Sequence, residues 1–358
     1  MPPKLLVNAI QALRTILFAL YKRLFPGRVV LYEQFQYLYL LPALYVAAEF
    51  NIAESLRSGK KSVDELAREL NVSAEALFRV LRALAGHGIF RESGEKCFLN
   101  TRLSKPLMDG NESLRNMFRH HLSPLNWKIA GDLLETVKTG VDACNRIYGK
   151  SIYDYLSDHP DSSKIFDKSM SDLSSMGLAP ILRSYSFSGL RSLADIGGGG
   201  GFMLANILAA NSKLQGILFD RQAALMKAEE TFSRYHVSDR VNLVEGDFLQ
   251  SVPGDIDGYL LKNILHNWDD QHAILILSTI RKSMPDYGKV IIIEMIIPDG
   301  NRSSMSKLVD IQMLTSMPGG KERTRKEFEM ILHEAGLTLT RVCKTIAPIN
   351  ILEAQRIV

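Results

Sequence analysis

At 358 residues the chain is long enough for two domains, and 46% of it is hydrophobic, ample for packed cores. Its 43 basic and 39 acidic residues leave a net charge of +4, too even a balance to imply nucleic acid as the partner. Cys97, Cys144 and Cys343 lie far apart, form no metal-ligand spacing and leave an odd thiol, so a reduced, cytoplasmic setting is expected and no metal.

No run approaches the roughly 18 apolar residues of a membrane span. The N-terminus instead carries Leu6, Ile10, Leu13, Leu17, Leu20 and Leu24 at helical spacing, interrupted by Lys4, Asn8, Gln11, Arg14, Lys22 and Arg23. Residues 1–28 therefore read as an amphipathic helical arm. It is expected to pack on a partner subunit, with contact to a membrane surface as the alternative. Pro26-Gly27 ends the arm, and the apolar, aromatic-rich stretch 29–56 follows with a helical pattern. So much apolar surface suggests burial between subunits.

Ser62-Val63-Asp64-Glu65 is a capping box opening a short helix to Leu70. The turn Asn71-Val72-Ser73 leads to a second helix over Ala74–Ala85, stopped by Gly86 and Gly88. A hairpin around Glu92-Ser93-Gly94-Glu95 completes a winged helix within residues 29–110. Its acidic tip is wrong for a phosphate-facing wing, so a dimerising role is expected here and a DNA-binding regulator is the remote alternative. Residues 111–187 read as a helical linker. The adjacent His120-His121 there are read as structural or pocket-lining, because no third metal ligand is near.

From 188 to the C-terminus strands and helices alternate. Strands are expected near 191–196, 215–219, 241–245, 257–261 and 289–295, with helices near 202–210, 222–235 and 270–283. This is an α/β, doubly wound parallel sheet. Leu193-Ala194-Asp195-Ile196 runs into five glycines, Gly197 to Gly201, and then a helix. Such a turn lets a ligand approach the main chain, and the crevice suits a nucleoside. No Lys-Ser or Lys-Thr follows, so a phosphate loop is excluded. Asp220 ends the second strand, where a carboxylate can accept from both ribose hydroxyls. At this point a nicotinamide cofactor fits as well.

The strings DIGGGGG (195–201), EGDF (245–248), LKNILHNWDD (261–270) and PGGKERT (318–324) stand in order. With them the chain resembles the class I S-adenosylmethionine-dependent O-methyltransferases, in their dimeric small-molecule branch. The resemblance runs from about residue 30 to the C-terminus. It implies a Rossmann-like catalytic domain behind an N-terminal winged-helix dimerisation domain, a homodimer, S-adenosylmethionine as cofactor, and a hydroxylated, aromatic acceptor from secondary metabolism. It places cofactor contacts at Asp195, Gly197, Gly198, Gly199, Asp220, Arg221, Gly246, Asp247, Phe248, Lys262 and Trp268. His266 corresponds to the general base, and Glu294 and Glu322 to the acids flanking it. Met170 and Met313 correspond to methionines that clamp the acceptor, and Trp127, His121, Asn267 and Met317 are expected to line the same pocket. Arg221-Gln222 stand where the family has an apolar residue and proline, and Asn267 where Asp is common.

The chemistry fits independently. A phenol titrates near about 10 and a histidine near about 6.5, so a neutral imidazole can take the phenol proton as attack begins, typically for about 10²–10⁴-fold. A rearrangement or cyclisation on the same fold remains the alternative reaction.

Overall fold

A computed structural model describes residues 4–110 and 112–357, with side chains of 4–8 and 11 excepted. Leu6, Lys4, Asn8 and Gln11 of the expected N-terminal pattern therefore lie outside the described side chains. The chain divides into two compact units. One runs to Trp127 and takes in Lys164–Ser175; the other comprises Lys128–Ser163 and the chain from Met176 on. The stretch 111–187, expected as one linker, is thus shared between the units and forms no body of its own.

In the first unit, α1 (Lys4–Leu24), α2 (Gly27–Phe35) and α3 (Tyr37–Glu49) lead into the winged helix. The helix Val63–Leu70 starts on the expected capping box. Ser62 Oγ accepts from the Glu65 amide at 3.2 Å, and the Ser62 amide donates to Glu65 Oε2 at 2.7 Å. Asn71 ends it in the left-handed region at φ 53°, a conformation asparagine tolerates. The helix Ala74–Gly86 is capped by Ser73. Strands β1 (Lys61–Ser62), β2 (Phe90–Glu92) and β3 (Cys97–Asn100) form a small sheet in the order β1-β3-β2. Leu66, Leu81, Leu84, Phe90 and Phe98 close its core. The apolar stripe of α1 finds no cover among the described residues: Ile10, Leu13, Leu17, Leu20 and Leu24 are 50–68% exposed.

The second unit is built on β4 (Ser192–Ile196), β5 (Gln215–Asp220), β6 (Val241–Glu245), β7 (Gly258–Lys262) and β8 (Lys289–Glu294), followed by the short β9 (Ile296–Ile297) and β10 (Arg323–Thr324) and by β11 (Leu337–Lys344) and β12 (Asn350–Arg356). The main sheet runs β11-β12-β8-β7-β4-β5-β6. Its strands bury side chains on both faces in alternation. Val290 and Ile292 enter one core, and Ile291 and Ile293 the other. Because β4 lies between β5 and β7, the strand order reverses there, and a crevice opens beyond the carboxyl ends of the strands.

The sequence pattern suggests a wholly parallel sheet, and the structure corrects that expectation. The strands β4 to β8 pair in parallel, but β12 is antiparallel to β8 and to β11. Only residues 345–349 join β11 to β12. That connection is far too short for a parallel crossover, which takes a dozen residues or more. The helix expected over 222–235 is also broken, into Gln222–Leu225 and Ala228–Arg234.

Candidate active site

The glycine turn after β4 is shaped by sterics. Gly197 has φ 69°, and a Cβ there would lie 2.7 Å from Ile264 Cδ1. At Gly198 a Cβ would come within 2.6 Å of the Asp195 carboxylate, so any side chain would fill the space in front of it. Asp195 itself is 1% exposed, and its Oδ2 has no hydrogen-bond partner among the described residues. Burial pushes its carboxyl up to about 7, against the pull of the Lys262 ammonium and with a contribution from Asp220. Burial likewise brings Lys262 down to about 8, while Asp195 and Glu294 hold it up.

At the end of β5, Asp220 Oδ2 accepts from the Gly199 amide at 2.8 Å and Oδ1 from the Arg221 amide at 2.7 Å. The carboxylate is thereby tied to the glycine turn across two strands, and burial raises its pKa. Gly246 follows β6 and donates its amide to the Asp220 carbonyl at 3.1 Å. Asp247 accepts from the Leu249 amide at 2.9 Å and from Gln250 Nε2 at 3.2 Å. Phe248 meets Trp268 edge to face, with ring centroids 6.0 Å apart. An acidic, glycine-lined crevice with an aromatic corner results.

The second cluster centres on His266, in the 3-10 turn Leu265–Asn267 after β7. Its Nδ1 lies 2.8 Å from Glu322 Oε1. A carboxylate only accepts, so Nδ1 carries the proton and Nε2 keeps the basic lone pair. Glu294, at the end of β8 and fully buried, holds the turn from the other side. Its Oε1 accepts from the amides of Ile264 at 3.1 Å and His266 at 3.2 Å, so Glu294 grips the main chain and Glu322 the ring. Desolvation opposes a charged imidazole, yet Glu322 and Glu294 together outweigh it and raise the His266 pKa above its ordinary value. Burial raises the Glu294 carboxyl. Glu322 is fixed in turn, its amide donating to Asp310 Oδ1 at 2.9 Å.

Two further residues bear on these clusters. Arg323 is fully buried and donates to Asp270 Oδ1 (2.9 Å), the Leu265 carbonyl (2.8 Å) and the Trp268 carbonyl (2.8 Å). One guanidinium thus straps both ends of the His266 turn to the segment carrying Glu322. The signal available in the sequence was its place beside Glu322 in PGGKERT. Tyr153 stands beside Asp220 and Arg221; desolvation and the Asp220 carboxylate push its phenol up to about 12, although 42% of the residue stays exposed. Nothing in the local pattern marks it.

The residues expected around an acceptor divide between the units. Met170, Trp127 and His121 belong to the first, Met313, Met317 and Asn267 to the second. His121 Nδ1 lies 3.0 Å from the Met117 carbonyl, and burial lowers its pKa. Its neighbour His120 is buried against Phe166, ring centroids 5.2 Å apart, and falls to about 3. Met313 is buried, its carbonyl accepting from the Met317 amide at 2.9 Å. Asn267 Nδ2 donates to the Asn263 carbonyl at 3.1 Å. Among the described residues no group of His, Cys, Asp and Glu has the makings of a metal site, and no helix is long and apolar enough to cross a membrane.

Residues 130–338 match the O-methyltransferase domain family, and residues 32–110 the O-methyltransferase dimerisation domain. A phenazine O-methyltransferase of Lysobacter antibioticus is 34% identical over 88% of this chain and 92% of its own length. The solved structure of LaPhzM superposes with a TM-score of 0.89 at 33% identity, covering 93% of this chain and all of that one. An O-methyltransferase from neocarzinostatin biosynthesis, solved with S-adenosylmethionine and 2-hydroxy-5-methyl naphthoic acid, superposes with a TM-score of 0.74 at 28% identity, over 88% of this chain and 96% of that one. The chain belongs to the O-methyltransferase family, and is an S-adenosylmethionine-dependent methyltransferase in which that family's dimerisation domain precedes its catalytic domain.

Proposed function

We propose that this protein, as a homodimer, methylates a phenolic or enolic hydroxyl of an aromatic secondary metabolite, with His266 as general base. The observation that carries the reading is the 2.8 Å contact between His266 Nδ1 and Glu322 within a buried, doubly acidic cluster. Glu322 holds the ring in the tautomer whose Nε2 accepts, and favours the imidazolium that forms as the hydroxyl proton arrives.

The crevice beyond β4 and β5 fits S-adenosylmethionine. The unpartnered Oδ2 of Asp195 sits where Gly198 leaves room, a place for a cationic group of the ligand. Asp220 is placed for ribose hydroxyls, Asp247 for an adenine amine, and Phe248 and Trp268 for the ring faces. When bound, the cofactor supplies a methyl group on a sulfonium, already a good leaving group. What remains for the chain is alignment, exclusion of water and removal of one proton by His266. On the catalytic unit, Met313, Met317 and Asn267 line the side of the site that takes an aromatic acceptor. The naphthoic acid in the neocarzinostatin relative is an acceptor-like molecule of this class.

The test is a panel of phenols, naphthols and hydroxyphenazines incubated with the purified protein and S-adenosylmethionine. S-adenosylhomocysteine and an O-methyl product should appear in equal amounts. A converted acceptor without S-adenosylhomocysteine would replace methylation by a rearrangement.

A further inference from the structure

The helix α1 lies N-terminal to the matched dimerisation domain, which begins at residue 32. Its 21 residues make it long, but Arg14 stands at its middle and the helix is too polar to span a bilayer. At about 100° per residue, Ile10, Leu13, Leu17, Leu20 and Leu24 share an arc of about 80°. Arg14 and Arg23 fall on opposite borders of that arc, and Thr15 and Lys22 on the far side. The five apolar residues are each at least half exposed. Lys4, Arg14, Lys22, Arg23 and Arg28 are all basic, and no acidic residue precedes Glu33. An apolar face bordered by long cationic side chains, with no acid to neutralise them, complements an anionic lipid surface: the stripe enters the acyl boundary while the arginine and lysine stems reach up to phosphates.

We propose that α1 is an in-plane anchor that holds the protein on anionic membranes. Arg14 and Arg23, at the borders of the stripe, set the depth of the helix and supply much of the electrostatic attraction.

The experiment uses the full-length protein with sedimenting vesicles of phosphatidylcholine alone or of equal parts phosphatidylcholine and phosphatidylglycerol, at low and high salt. Oligomeric state is followed by light scattering and folding by circular-dichroism melting. The protein should pellet with the mixed vesicles, far less with phosphatidylcholine, and less again at high salt. Leu13→Glu/Leu17→Glu should weaken partition at least about tenfold by removing the stripe. Arg14→Gln/Arg23→Gln should weaken it roughly twenty-five-fold, about fivefold for each charge. Both variants should keep the wild-type melting temperature and oligomeric state. The proposal is overturned if the protein stays in the supernatant with phosphatidylglycerol vesicles. It is equally overturned if Leu13→Glu/Leu17→Glu disrupts the dimer and leaves vesicle binding unchanged, because the stripe then packs on a second copy of the chain.

Discussion

Replacing Glu322 by glutamine removes a charge and leaves an acceptor in place. The new side-chain amide carbonyl can still accept a hydrogen bond from Nδ1–H across the 2.8 Å contact, so the ring orientation and tautomer survive. What is lost is the extra strength of a charged hydrogen bond, about 1.5–3 kcal/mol against about 0.5–1.5 for a neutral one. The difference, about 1–1.5 kcal/mol, corresponds to roughly a five- to fifteenfold lower plateau of kcat. The same substitution moves the pH profile in a direction that a packing defect would not. In the wild type Glu322 and Glu294 raise the His266 pKa, so the neutral, proton-accepting ring is depleted as pH falls through that raised value. Without the Glu322 charge the imidazolium is less favoured and the His266 pKa drops. The acidic limb of kcat/KM should therefore shift to lower pH while the plateau falls. The assay is S-adenosylhomocysteine release across the pH range, with saturating cofactor. An acidic limb that stays put, or moves to higher pH, would refute the coupling of Glu322 to the reacting proton.

Asp220→Ala should weaken binding of S-adenosylmethionine and S-adenosylhomocysteine alike, since both carry the ribose, by about 1.5–3 kcal/mol for lost charge-assisted hydrogen bonds; calorimetry with equal affinities for wild type and variant would move the ribose contact elsewhere. Arg323→Met leaves the carbonyls of Leu265 and Trp268 without their donor and Asp270 with Lys321 alone, and should cost about 2–3 kcal/mol in denaturant unfolding of the catalytic unit. A loss below about 1 kcal/mol, within the range of exposed ion pairs, would show that the strap is incidental.

What was legible in the sequence followed the range of the interactions involved. The helix Val63–Leu70 rests on a cap made within four residues, and the helices Phe202–Ala210 and Asp270–Ser283 fall on the residues their patterns indicate. The strand β11 escaped because its alternation is interrupted: register shifts between Leu339 and Arg341, which changes the side-chain phase mid-strand. Arg323 was hidden for a different reason. Its partners Leu265, Trp268 and Asp270 stand more than 50 residues away, and its place in PGGKERT says nothing of how deeply it is buried. The orphaned Asp195 oxygen is likewise a property of three-dimensional burial, although the residue itself stood in a recognisable motif. The acceptor stays illegible because its expected contacts, such as Met313 and Met317, are chemically permissive side chains.

The central claim is that His266 takes the acceptor's proton, and the most direct measurement is the pH dependence of His266→Ala. At neutral pH a phenol with a pKa near about 10 is almost wholly protonated, so the variant should turn over at least about a hundredfold more slowly than wild type. Its affinity for S-adenosylmethionine should be nearly unchanged. As pH rises toward the acceptor's pKa the phenolate forms without help, and the rate of the variant should climb about tenfold per pH unit, closing the gap to wild type. Near wild-type turnover of His266→Ala at neutral pH, or a deficit that persists undiminished when the acceptor is ionised, would contradict the account.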